Sequence, residues 1–337
     1  MFNTTKKNSN LYFDIIRELY YNKELSCVEL SKLTDKSIPL ITKSLNTLIA
    51  QGHVLECGYA PSSGGRRPLL YAINPEKLFI VTVAMDQLST RVGMINLLNQ
   101  DFVAVETFEL KLKNNPDALN SLCSIISSYI DHTGISKEKI IGIGIGMPGF
   151  VNSELGINYT YLETDEQNIP SYLSKRINLP VFVDNDSSLI ALSELRFGLA
   201  KSIKDVLVIN LSWGIGLGII INEQIFRGTN GFAGEFSHIP ISEEGPLCTC
   251  GKQGCLEAEA SLLSIAQKAI EGILKGKQTA LKYSPNTSKM DIAERIMDVA
   301  NEGDQYAIEL LSQAGFKIGK GLSILIHIIN PKAIIIS

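Results

Sequence analysis

Along the first 74 residues, apolar positions recur first at helical and then at strand spacing. Leu11, Phe13, Ile15, Ile16, Leu19 and Tyr20 fall near one helical face. Ser26 is placed to cap a second helix, with Glu29 at the capping-box position and Val28, Leu30 and Leu33 turned inward. After the polar turn Thr34-Asp35-Lys36, Ser37 is placed to cap a third helix, and Pro39 falls in its tolerant first turn. Ile38, Ile41, Leu45, Leu48 and Ile49 form the apolar stripe of that helix, and Thr42, Lys43, Asn46 and Thr47 its polar face. Gly52 stops it. Residues 54–56 and 69–73 then read as two strands around the loop 60–68. Three short helices, a tight turn before the third and a two-stranded wing make a winged helix-turn-helix plan over residues 1–74.

From residue 75 the pattern changes. Phe79–Met85 is a buried-type strand, and 91–97 and 102–108 follow as further strands. Residues 117–132 read as an amphipathic helix, and Ile140–Met147 as a glycine-laced strand ending at Pro148-Gly149. Val181-Phe182-Val183 leads into Asp184-Asn185-Asp186 and a helix over 187–197. Residues 205–211 and 214–221 are expected as two more strands, and Ala333–Ile336 as a last one. Hairpins mixed with strand-helix alternation imply α/β layers rather than a helix bundle.

Charge separates the two regions. Residues 1–74 hold 9 Lys/Arg against 6 Asp/Glu, while the rest holds 22 against 29. A basic head on an acidic body directs any nucleic-acid contact to the head. In the third helix the exposed Ser37, Thr42, Lys43 and Asn46 can bond phosphates or base edges. The wing glycines, Gly65 among them, allow close backbone approach to a phosphate, and Arg66 and Arg67 can enter a minor groove. The alternative is a three-helix protein-interaction module with a solvated arginine loop. No run of 18 uncharged apolar residues exists, so no membrane partner is expected. The start, Met-Phe-Asn-Thr-Thr-Lys-Lys, lacks the apolar core of a secretory signal, which makes the cytoplasm the expected compartment.

Three of the six cysteines, Cys248, Cys250 and Cys255, lie within eight residues, and His238 lies ten before the first. Glycines at 251 and 254 let the loop fold three thiolates around one ion. Three sulfurs and an imidazole form a closed tetrahedral set, which suits a structural zinc and leaves no place for an activated water. The alternative is three unligated thiols in a tight loop. Cys27, Cys57 and Cys123 read as small buried hydrophobes.

Gly234-Glu235-Phe236-Ser237-His238, followed by Cys248-Thr249-Cys250-Gly251-Lys252-Gln253-Gly254-Cys255-Leu256-Glu257, resembles the ROK family of repressors, open reading frames and sugar kinases. The wing run Gly64-Gly65-Arg66-Arg67-Pro68 resembles the repressor branch of that family. The resemblance implies an α/β, two-lobed actin/hexokinase-like fold behind the winged helix, with a small lobe and hinge over 75–196 and a large lobe over 197–337. It also implies that Asn185, Asp186, Glu235, His238 and Glu257 line a sugar pocket, with Gly149 as a further point of close approach. Carboxylates and amides suit such a ring of hydroxyls. Homo-oligomers, dimers or tetramers, reading a near-palindromic operator are implied as well.

Sugar kinases of this family use the carboxylate at the position of Asp186 as general base and hold ATP phosphates on two glycine-rich turns. The first family pattern, Asp-x-Gly-Gly-Thr, here reads Asp86-Gln87-Leu88-Ser89-Thr90. The second, Gly-Thr-Gly-Ile-Gly, reads Ser212-Trp213-Gly214-Ile215-Gly216, so a tryptophan replaces the hydroxyl. The family pattern continues past 336 into a glycine turn and closing helices, whereas this chain stops at Ser337 and is expected to be short of them. Retained sugar residues with altered phosphate turns point to a sugar-responsive DNA-binding regulator, a repressor, that binds a sugar or sugar phosphate without phosphorylating it. ATP and magnesium are then not expected. Two alternatives remain open here: an ATP-dependent hexose or N-acetylhexosamine kinase with a regulatory head, in which Asp186 would be catalytic, and a truncated relative without function.

Overall fold

The structure, a computed structural model, describes residues 6–61, 67–164 and 166–337, with the backbone alone for 6–9. The head comprises helix α1 (Lys6–Asn22), strand β1 (Glu24–Ser26), helices α2 (Cys27–Thr34) and α3 (Ile38–Ala50), and strands β2 (Val54–Tyr59) and β3 (Leu69–Ile73). The strands form an antiparallel sheet in the order β1-β3-β2. The expected capping box closes α2: Glu29 N donates to Ser26 Oγ, and Ser26 N donates back to the Glu29 carboxylate. Ser37 stands at the N-cap of α3 but its side chain makes no cap bond, so Pro39 in the first turn carries that start.

Leu11, Ile15, Leu19, Leu30, Ile41, Leu45 and Leu48 are buried together, which is the core the periodicity implies. Val28, Leu33, Ile38 and Phe13, expected inward, are exposed instead. A two-turn helix such as α2 presents one buried line, and Leu30 takes it. Cys57 is also exposed rather than buried.

Strands β4 (Phe79–Met85), β5 (Ser89–Asn96) and β6 (Asp101–Glu109) form an antiparallel meander. Helix α4 (Ala118–Thr133) returns the chain to β7 (Ile140–Met147), which pairs parallel with β4. A small hairpin follows, β8 (Val151–Asn152) with β9 (Ile157–Asn158). Helix α5 (Ile169–Ile177) and strand β10 (Val181–Asn185) come next, and the sheet runs β10-β7-β4-β5-β6. Helix α6 (Asp186–Phe197) starts directly from β10.

The second large sheet repeats this plan. Strands β11 (Val206–Leu211), β12 (Ile215–Ile221) and β13 (Gln224–Ile225) are an antiparallel meander. Helices α7 (Leu256–Ala260), α8 (Leu262–Leu274), α9 (Lys289–Asn301) and α10 (Gln305–Ile329) lead to β14 (Ala333–Ile336), which pairs parallel with β11. In both sheets the first strand of a meander is flanked by a strand that returns parallel to it after helix.

Contacts group the chain into two compact units, 1–146 with 161–183, and 147–160 with 184–337. The head therefore belongs to the unit of the first sheet. Leu97 is buried in the core of the head, and Leu78, Ile80, Leu98 and Ile141 pack against it. The chain passes between units three times, which differs from the single lobe boundary at 196 read from the sequence.

Candidate functional site

All six residues expected to meet a sugar belong to the second unit. The corner from β10 to α6 sets three of the neighbouring groups. Asn185 is the N-cap of α6 and accepts from Ser188 N at 3.0 Å through Oδ1, while its Nδ2 donates to the Gly149 carbonyl at 3.2 Å. Asp186 opens the helix and accepts from Ser187 N at 2.6 Å. A carboxylate there gains from the positive end of the helix. Gly149 adopts φ +95°, and a β-carbon on it would come within 2.8 Å of Thr160. Only glycine suits that backbone and that space.

The corner can approach β12 because α6 packs against glycines. A β-carbon at Gly218 would lie 2.8 Å from the Ser187 carbonyl and would collide with Ala191 Cβ, and one at Gly216 would meet Ser187. The glycine-laced pattern of β12 is thus a groove for the helix that carries Asp186.

Glu235 and Glu257 complete the polar group. Burial first, then the charges of Glu257 and Asp186, push the Glu235 carboxyl up to about 7. A carboxyl raised this far takes up a proton more readily than a solvated one, and when protonated it donates as well as accepts a hydrogen bond. His238 Nε2 lies 3.9 Å from Glu235 Oε2. Its other nitrogen, Nδ1, lies 3.5 Å from Cys248 Sγ.

The thiol cluster is assembled as the spacing implied. Ligand atoms of His238, Cys248, Cys250 and Cys255 all lie within 4.8 Å of one another, and Cys250 Sγ is 3.6 Å from Cys255 Sγ. Sulfurs bound tetrahedrally at about 2.3 Å from zinc would stand ~3.8 Å apart, so the donor set and its spacing fit that ion. Positive-φ glycines at 251 and 254 turn the loop, and a side chain at Gly254 would strike the Ser242 backbone. Cys255 is the N-cap of α7, so the cluster fixes the helix bearing Glu257. His238 is thereby divided between two tasks, with Nδ1 toward sulfur and Nε2 toward Glu235.

Of the two turns that differ from the kinase pattern, the first is closed by its own carboxylate and the second packs its tryptophan on the core. Asp86 Oδ1 accepts from Leu88 N and Ser89 N, both at 2.7 Å, and Oδ2 from Ser89 Oγ at 2.7 Å. Trp213 is folded, partly buried, against the core formed by β11, β12 and α7–α10.

On the head, Ser37, Thr42, Lys43, Asn46 and Arg67 are exposed; Gly65 and Arg66 lie outside the described residues. The Thr42 hydroxyl donates to the Ile38 carbonyl at 2.9 Å and its oxygen lies 3.2 Å from Cys27 Sγ, so it is engaged within the head.

Sequence reasoning missed two groups around the site. Arg227 grips Asp184 with two bonds of 2.7 Å, tying the loop before Gly234 to the β10–α6 corner. Glu259, buried on α7, is held by Lys268 of α8 at 3.0 Å and by Lys317 of α10. A lone acidic residue next to Ala258 and Ala260 carries no sequence signal for partners 9 and 58 positions away.

Fold and site together define a two-unit α/β protein with a winged-helix head and a Cys3His loop. The chain belongs to the ROK family, whose signature matches residues 94–337. It is 31% identical over 332 residues to a xylose repressor of Caldicellulosiruptor bescii, covering 96% of this chain and 81% of that one. It is 28% identical to the transcriptional dual regulator NagC of Escherichia coli K12, covering 98% and 80%. Among solved structures, it resembles a ROK transcriptional regulator homologous to the Escherichia coli Mlc protein, with 26% identity, TM-score 0.76, and coverage of 98% and 83%. A Streptomyces griseus ROK glucokinase in complex with glucose and AMPPNP shares 25% identity at TM-score 0.65, over 77% and 82%. Mixed α/β layers of the actin/hexokinase type are therefore established for this chain. No helix among the described residues is long and apolar enough to cross a membrane.

Proposed function

We propose that the protein is a sugar-responsive transcriptional repressor. Residues 1–74 read operator DNA, and Asn185, Asp186, Glu235, His238 and Glu257, with Gly149, bind a sugar or sugar phosphate. The observation that carries this reading is the contrast between two sites. Glu235, Glu257 and Asp186 gather their carboxylates near one point, whereas the turn at Asp86 spends its amides on its own carboxylate. Repressors named for xylose and N-acetylglucosamine among the relatives support the same class. The Cys3His loop holds a structural zinc in this reading. The ion supplies no chemistry beyond crosslinking the loop, and this chain's own His238 and Glu257 are what it orients.

Two recognition helices in a homodimer or tetramer would read a near-palindromic site. Operator titration of the full chain, with and without sugars that shift its melting temperature, tests the function. A sugar that binds yet leaves operator affinity unchanged overturns it.

The kinase reading rests on Asp186 beside Glu235 and on the likeness to a glucokinase. It requires hexose-dependent ADP release with magnesium that Asp186→Asn abolishes. Absence of turnover over hexoses and N-acetylhexosamines removes it.

A further inference from the structure

An aromatic strip adjoins the polar group and has no part in the function proposed above. Phe150 stacks on the His238 imidazole, with centroids 5.8 Å apart and planes at 20°. Phe232 meets Phe150 edge-on at 5.6 Å, and Tyr159 meets Phe232 edge-on at 5.6 Å. The three rings thus continue, one after another, from the imidazole that faces Glu235. Phe150 and Phe232 are half-buried, and Tyr159 is 58% exposed.

The strip is built onto the same corner as the polar group. Phe150 N donates to Thr160 Oγ1 at 2.9 Å, and Tyr159 N donates to the Phe150 carbonyl at 2.8 Å, so the β8–β9 hairpin fixes two of the rings. Asn185 bonds the Gly149 carbonyl beside that hairpin. Phe232 lies in the loop anchored by Arg227 to Asp184, where Ala233 N donates to the Arg227 carbonyl at 3.0 Å. Asp184 and Asn185 therefore place the carboxylates and the aromatic rings in one frame.

A sugar ring has a hydroxyl rim and at least one face of C–H groups. Carboxylates and amides take the rim. Flat aromatic rings with an apolar body take the C–H face, and an exposed tyrosine also offers a hydroxyl. One ring held by the polar group would rest its C–H face on Phe150, the ring stacked on the imidazole, whereas Phe232 and Tyr159 lie one and two edge-on contacts further along. Resting on the sugar-binding reading above, we infer that Phe232 and Tyr159, beyond Phe150, form a subsite for a second sugar ring, so that the preferred effector is a disaccharide or longer glycoside rather than a single sugar.

Isothermal titration of the full chain with matched pairs tests this: xylose and xylobiose, glucose and cellobiose, N-acetylglucosamine and its β-1,4 dimer. For at least one pair the two-ring sugar should bind tenfold or more tighter than its own monosaccharide. Tyr159→Ala, and independently Phe232→Leu, should erase that advantage while monosaccharide affinity stays within twofold. Tyr159 is exposed, so its variant should keep the parent melting temperature. Equal affinity within every pair overturns the subsite and leaves the sugar-binding reading intact, as does a Tyr159→Ala loss that falls equally on both members. No binding by any of these sugars or by their phosphates overturns both.

Discussion

Single residues in this chain are defined by what their neighbours leave them to do. Glu259 is almost fully buried; burial alone would raise its carboxyl, but Lys317 and Lys268 outweigh that and hold it below the ordinary carboxylate range. A depressed pKa contributes stability that is present above the unfolded value and disappears as pH falls through the folded one. Glu259→Gln should therefore lower stability by about 1–2 kcal/mol at pH 7, discounted for the partly exposed lysines. The difference from wild type should vanish in denaturant titrations at pH values below that folded pKa. On the head, Lys43 and Asn46 are exposed on the face opposite Ile41, Leu45 and Leu48, so their substitutions report different things. Lys43→Ala should weaken all duplexes alike and reduce the salt slope by about 1, while Asn46→Ala should cost about 1–3 kcal/mol on the operator alone. Gel-shift titration over a salt series separates the two outcomes. The sequence exposes Lys43 and Asn46 through helical periodicity, but Glu259 stays invisible because its meaning depends on two lysines in other helices.

Elements owe their places to small residues and to crosslinks. The apolar runs of β4, β7, β3 and β14 specify their bounds directly, since a short run rich in β-branched and aliphatic residues between turn signals marks a strand even where only one face is buried. The β8–β9 hairpin and α7 are too short for either period to show, whereas α5 does carry a helical spacing, with Ile169, Tyr172, Leu173 and Ile177 buried behind an Asn168 cap. Gly216 and Gly218 explain why α6 reaches β12, and Gly218→Ala should destabilise by about 1–3 kcal/mol through the clash with Ala191 and the Ser187 backbone. Thermal melts of that variant should also show weaker sugar binding, because Asp186 and Asn185 ride on the displaced helix. The Cys3His loop works by the opposite device. Cys250→Ala should remove about one zinc per chain in elemental analysis and free the N-terminus of α7, whose cap is Cys255. Retention of the metal after that change would show that the four donors do not act together. The grouping of its four donors was legible from spacing, whereas the approach of His238 Nδ1 rather than Nε2 to Cys248 Sγ required coordinates.

The molecule as a whole holds a structural repeat without a sequence repeat: two meanders, each with a strand returning parallel to its first. Pairing geometry recurs while side chains diverge, so no self-similarity marks it in the sequence. The head is packed onto its unit rather than tethered to it. It shares a hydrophobic core with the turn joining β5 and β6, and Tyr20 Oη donates to Asn99 Oδ1 at 2.5 Å across 79 residues of chain. Asn99 occupies φ +59°, a conformation that asparagine tolerates better than most residues. A head docked through Leu97, Leu98 and this bond moves with its unit, whereas a flexible linker would uncouple it. Sugar can shift operator affinity only by the factor by which operator shifts sugar affinity, ordinarily about 1–3 kcal/mol of coupling. The proposed sugar residues lie in the other unit, so a change at the docking turn should leave intrinsic sugar binding alone. Leu97→Ala and Tyr20→Phe are therefore expected to keep the sugar Kd of the DNA-free protein within twofold while reducing, severalfold, the ratio of operator Kd with sugar to that without. An unchanged ratio in both variants would mean that the effector signal reaches the head by a route other than the β5–β6 turn.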